Sequence, residues 1–168
     1  MFRYLLITAV FLAAIGAPAA QGDEVRVDGV HIAWAGIYRV ESTVRLDDPS
    51  KVTGKVSQSQ GFTLVKETDL IPALKDVRFG IQFELIGEPK GAIVDIQLIK
   101  RFPTGITNPS TGKTVHESKV DLQVVMGESE IAGYWLTNDW EVVPGDWRFE
   151  ISYQGRTLGE KVFHLRSP

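Results

Sequence analysis

Three histidines, His31, His116 and His164, are the first side chains able to hold a metal or relay a proton. They lie far apart, and none has a short-spaced partner of the HxH or HExxH kind that a metal site needs. His31 and His164 each fall in a strand-like stretch, His31 at a polar position, so all three read as surface or structural histidines. Asp47-Asp48 stands before Pro49, which is turn composition, and no calcium-loop spacing surrounds the pair. No metal and no cofactor are expected. Nucleophilic chemistry finds no G-x-S-x-G elbow. The serines gather in polar stretches such as Ser57-Gln-Ser59, and nothing selects a Ser-His-Asp triad from distant positions. A carboxylate pair for glycoside hydrolysis would have to come from Glu84, Asp95 or Asp121, each at a solvent-facing strand position. The chain has no cysteine, which removes thiol nucleophiles, iron–sulfur clusters and thiolate zinc. A protein without catalysis is expected, and a hydrolase with an unrecognised site is the remote alternative.

The aromatic residues offer more. Trp34 and Trp147 occupy the apolar parity of their strands and are expected to be core pillars. Tyr134, Trp135 and Trp140 flank the polar turn Thr137-Asn138-Asp139. Neighbouring residues in a strand point to opposite faces, so Tyr134 and Trp135 cannot share one core. An exposed indole beside a tyrosine can stack on a sugar or anchor a protein partner. Tyr134, Trp135 and Trp140 are therefore the candidate ligand-binding residues. The competing reading is that Trp135 or Trp140 packs over a sheet edge.

Such residues are positioned by strands. Val30, Ile32, Trp34, Gly36, Tyr38, Val40, Val44 and Leu46 alternate with polar neighbours, with Gly36 a natural bulge or bend. Period two recurs in Val77, Phe79, Ile81, Phe83 and Leu85; in Val94, Ile96 and Leu98; and in Val120, Leu122, Val124 and Met126. It returns in Trp147, Phe149, Ile151 and Tyr153. This is the pattern of half-buried antiparallel strands. Turn chemistry separates them: Asp28-Gly29, Gln60-Gly61, Gly87 to Gly91, Asn108 to Gly112, Pro144-Gly145 and Gln154-Gly155. Asp69 to Lys75 is expected to make at most one helical turn, because Pro72 blocks more. The expectation is one antiparallel β-sandwich of seven to nine strands, with a small β-barrel as the alternative.

The first residues carry a different message. Arg3 precedes the apolar run Leu5 to Gly16, and Ala17-Pro18-Ala19 follows. That order marks a secretory signal peptide over residues 1–19, too short an apolar run to span a bilayer, with one domain over residues 20–168. Export to the periplasm, or beyond the cell, follows from it. The net charge is −3 and the lysines and arginines are scattered, so nucleic acid is not an expected partner. Without a cysteine pair, an exported domain of this size must be held by its core alone.

The end of the chain carries a resemblance. Pro144-Gly145-Asp146-Trp147-Arg148-Phe149, then Gln154-Gly155, then Phe163 resembles the closing hairpin of immunoglobulin-like modules in exported bacterial proteins. With IPALKDVRFGIQFEL and GIYRVE, most of the chain after residue 19 is similar to an uncharacterised family of such domains. The resemblance implies an immunoglobulin-like β-sandwich and carries no activity with it; the cysteine pair of antibody domains is missing. The function expected is a binding or interaction module with a protein or glycan partner, the alternative being a carbohydrate-binding module.

Overall fold

The computed structural model describes residues 24–167; the leader expected over residues 1–19 and its cleavage point lie outside them. Nine strands form two packed sheets. The first runs in the order β4 (Thr63–Glu67), β1 (Arg26–Arg39), β6 (Arg78–Glu88) and β9 (Ser129–Trp135), all antiparallel. The second runs β5 (Leu70–Pro72), β11 (Arg156–Arg166), β10 (Gly145–Tyr153), β7 (Ile93–Thr107) and β8 (Thr114–Val125). Both sheets keep free edges, so the architecture is a sandwich and not a closed barrel. A separate hairpin, β2 (Ser42–Asp47) with β3 (Lys55–Gln60), pairs only with itself.

Alternation places the core between the sheets. From β6 come Phe79, Ile81, Phe83 and Leu85, and from β10 Trp147, Phe149 and Ile151, all 1% exposed or less. Phe79 is the hub, edge-on to Trp147 with centroids 5.6 Å apart and to Phe163 at 5.1 Å. Edge-to-face packing sets a positive ring edge against a negative face and adds to the gain from burial.

Three local expectations fail for physical reasons. Asp28-Gly29 is no turn but lies within β1, where the pairing with β6 slips between Val27 and Gly29. A second slip, between Ile32 and Trp34, changes the parity of β1. Val30 and Ile32 pack on the core as expected, but beyond the bulge Ala35 and Ile37 do so. Trp34 is consequently no core pillar; it is half-buried beside Tyr38, with ring centroids 6.3 Å apart. Finally, Leu70–Pro72 makes no helical turn but forms β5, parallel to the end of β11. The strand buries Ile71, the next residue Ala73 is buried too, and His164 N–H and Ala73 N–H complete the hydrogen bonds with β11. Pro72 is tolerated because an edge strand need not donate on its outer side.

Candidate functional site

Strand β7 sends Val94, Ile96, Leu98 and Phe102 inward, each at most 8% exposed. Lys100 continues that parity, so a lysine lies among core positions. It is half-buried, and its Nζ donates to the carbonyl of Gly133 on β9, bridging the two sheets. The ammonium sits 5.4 Å from the ring centroid of Phe149 and 5.7 Å from that of Tyr134, within cation–π range. Burial, helped by the positive charge of Lys51, lowers its pKa from 10.5 to about 8.

Gly133 is where β9 meets the side chain of Tyr38. A Cβ there would fall 2.1 Å from the Tyr38 hydroxyl, so glycine leaves room for that ring. Tyr38 is 8% exposed, and burial raises its pKa to about 12. The next residue, Tyr134, turns to the opposite face and packs against Trp147, with centroids 4.9 Å apart. Its hydroxyl donates to Glu141 Oε1 at 2.8 Å. Burial, with the nearby Glu141 charge, pushes the Tyr134 pKa far up.

Glu141 closes a turn of 3-10 helix, Asp139–Glu141, and is 1% exposed. Besides Tyr134, its carboxylate accepts from the backbone N–H and hydroxyl of Thr137 (3.1 and 2.7 Å). The backbone N–H and side-chain amide of Asn138, each at 2.8 Å, complete the set. Donors of this number satisfy a buried carboxylate and make it a structural knot for the loop after β9.

Trp135 shares with Gly133 the face opposite Tyr134. The Arg78 guanidinium lies 3.8 Å from its ring centroid and that of Arg45 lies 5.4 Å away. Its indole N–H is buried and has no acceptor among the described residues. Arg78 also donates from Nη1 to Thr43 Oγ1 at 2.9 Å, which ties the β2–β3 hairpin to the first sheet. Asn108 Nδ2 to the Val52 carbonyl (2.8 Å) and Lys113 Nζ to the Ser50 carbonyl (2.7 Å) tie it to the second. Between hairpin, β7, β8 and β9 lies a cleft of about 520 Å³. That volume suits a small molecule.

Of the sequence candidates, Tyr134 and Trp135 line this cleft, whereas Trp140 packs against the core outside it. Ser57 and Ser59 reach the cleft from the hairpin, and no histidine does. His31, His116 and His164 stand on β1, β8 and β11, and His164 Nδ1 lies 2.7 Å from Asp146 Oδ1. Asp95 and Asp121 are exposed and accept from Gln123 and Gln97 across the strand pair, both at 3.0 Å. Among the described residues no group of three or more metal-ligating side chains converges. Lys100, Arg78 and Glu141 were missed. For Lys100 a signal existed: it stands at an inward position between Leu98 and Phe102.

The family described as a domain of unknown function, DUF3859, matches residues 26–165. The chain belongs to this family. Among solved structures, it is similar to an immunoglobulin-like protein (PA1606) from Pseudomonas aeruginosa. The two are 25% identical with a TM-score of 0.59, over 88% of this chain and all of that one. The immunoglobulin-like sandwich and the uncharacterised family read from the closing hairpin are thereby borne out. A comparison with curated proteins finds no match.

Proposed function

We propose that this DUF3859 domain is a non-catalytic binding module of the periplasm, released there by loss of its leader, and that it holds a small ligand in the cleft under the β2–β3 hairpin. The observation that carries the reading is the cleft itself: an aromatic-lined space between sandwich and hairpin that neither sheet fills. Sites of this kind are concave, largely apolar and furnished with a few convergent polar groups. The best-placed carboxylate, Glu141, is committed to loop structure by its hydrogen bonds. A sugar platform is disfavoured, because the Arg78 guanidinium already covers the Trp135 ring.

The test is a fluorescence titration with N-phenyl-1-naphthylamine, an uncharged dye that brightens on leaving water. Saturable one-to-one binding is expected, and Ser59→Trp should abolish it by filling the cleft from the hairpin side. A response that never saturates, or one unchanged in a folded Ser59→Trp variant, would refute the reading.

A further inference from the structure

The cleft is one-sided in its charge. Among the described residues, Arg45, Lys51, Lys55, Arg78, Lys100 and Lys119 line it, against two carboxylates, Glu117 and Glu141. Both carboxylates are engaged: Glu117 by Lys119 at 2.9 Å and Arg101 at 3.4 Å, Glu141 by its loop donors. Lys55 is held by Asp47. Among the described residues, Arg45, Lys51, Arg78 and Lys100 have no carboxylate within ion-pair distance.

What remains is an excess of donors. Of the three N–H bonds on the Lys100 ammonium, the structure assigns one to the Gly133 carbonyl. Arg78 presents its face to Trp135 and one nitrogen to Thr43, which leaves other N–H bonds in the guanidinium plane. The Trp135 N–H is buried without an acceptor among the described residues. Lysine, arginine and indole can only donate, so none can satisfy another. A part-buried ammonium without a counter-charge is costly, and an anionic acceptor brought from outside would lower that cost. The wall also carries the apolar side chains of Val56, Phe62, Leu98, Phe102 and Leu122, with the hydroxyls of Ser57, Ser59 and Ser118 among them.

Resting on the binding-module reading, we propose that the ligand is an amphipathic anion. Its carboxylate or sulfonate-type head sits on Lys100 and Arg78, and its apolar body lies against Tyr38, Phe62 and Leu98. A planar guanidinium stacked on an indole is pre-organised to present its edge to such a head. Burial of the body supplies affinity, while the head supplies specificity.

Two dyes that share one body separate the claims. 1-Anilinonaphthalene-8-sulfonate carries an anionic head, and N-phenyl-1-naphthylamine is the same skeleton without it. The sulfonate should bind the wild-type protein at least tenfold more tightly than the neutral dye. Lys100→Met should erase that advantage while leaving the neutral dye within about twofold, Lys100→Arg should retain most of it, and Lys66→Met on the exposed face of β4 should change nothing. Equal affinities for the two dyes in the wild type would overturn the anion inference and leave the binding cleft standing. An equal loss in Lys66→Met would also overturn it, since diffuse surface charge would then explain the preference. If neither dye saturates, the binding-module reading itself fails.

Discussion

Lys100 shows how one residue can be kept against the interest of the fold. Its pKa falls from 10.5 to about 8 because burial disfavours the charged form, with Lys51 adding like-charge repulsion. The groups around it are Tyr134 on β9, Phe149 on β10, Lys51 in the hairpin loop and the Gly133 carbonyl. Between those two pKa values the unfolded chain binds a proton that the folded chain has released, so stability rises with pH. Urea unfolding at pH 7.5 and 9.5 should show the wild type gaining about 1–2 kcal/mol, a gain that Lys100→Met lacks. At pH 7.5 the Met variant should be the more stable protein. Glu141 is the opposite case, a buried charge that is fully partnered. Glu141→Gln sets an amide donor against existing donors and should cost about 2–4 kcal/mol. Asp139→Asn in the same turn, on an exposed residue, should stay within about 0.5 kcal/mol by the same measurement.

Strands explain why much of this was readable and some was not. The inward sets of β6 and β10 follow period two without a break, and every predicted inward residue from Phe79 to Leu85 is buried. Phe149→Ala should cost about 3–5 kcal/mol, because the ring packs on Phe79 and Phe163, and calorimetry would register the loss as a large fall in Tm. β1 was misread past Ile32 because the sequence marks Gly36 as the bulge, whereas the slip against β6 falls between Ile32 and Trp34, and one extra residue inverts the faces that follow. β5 was misread because local propensity weighed Pro72 more heavily than the burial of Ile71 could be known to matter. Of the residues lining the cleft, Tyr134 and Trp135 were singled out by their place beside a polar turn and by the face rule. The cleft was not, since its hairpin wall is held to Arg78 on β6, to Lys119 on β8 and to the turn between β7 and β8 through contacts 35 to 68 residues apart in sequence. The hairpin pairs with neither sheet, so its amides should exchange with deuterium well before those of β6 and β10, a contrast that mass spectrometry can resolve.

At the scale of the whole molecule, stability rests on one core without a disulfide. The four tryptophans report on different parts of it. Trp147 is fully buried and its N–H donates to the Val143 carbonyl at 2.8 Å, so it should be the indole best protected from acrylamide. In single-Trp variants Trp135 should be quenched more readily than Trp147, and an anionic dye in the cleft should protect Trp135 alone. Processing is a separate matter. N-terminal sequencing of protein recovered from the periplasm should begin at or near Ala20, and intact Met1 in the membrane fraction would contradict the leader.

The self-paired hairpin has a consequence for how such a protein can change over generations. Inserting a residue into β6 would throw the faces beyond it out of step with both of its neighbours. An insertion in β2, β3 or the turn between them disturbs no ladder but their own. Lengthening that turn costs only about 0.6 kcal/mol per doubling of a flexible loop. One wall of the cleft is thus free to be rewritten in length, charge and shape while the sandwich behind it stays as it is.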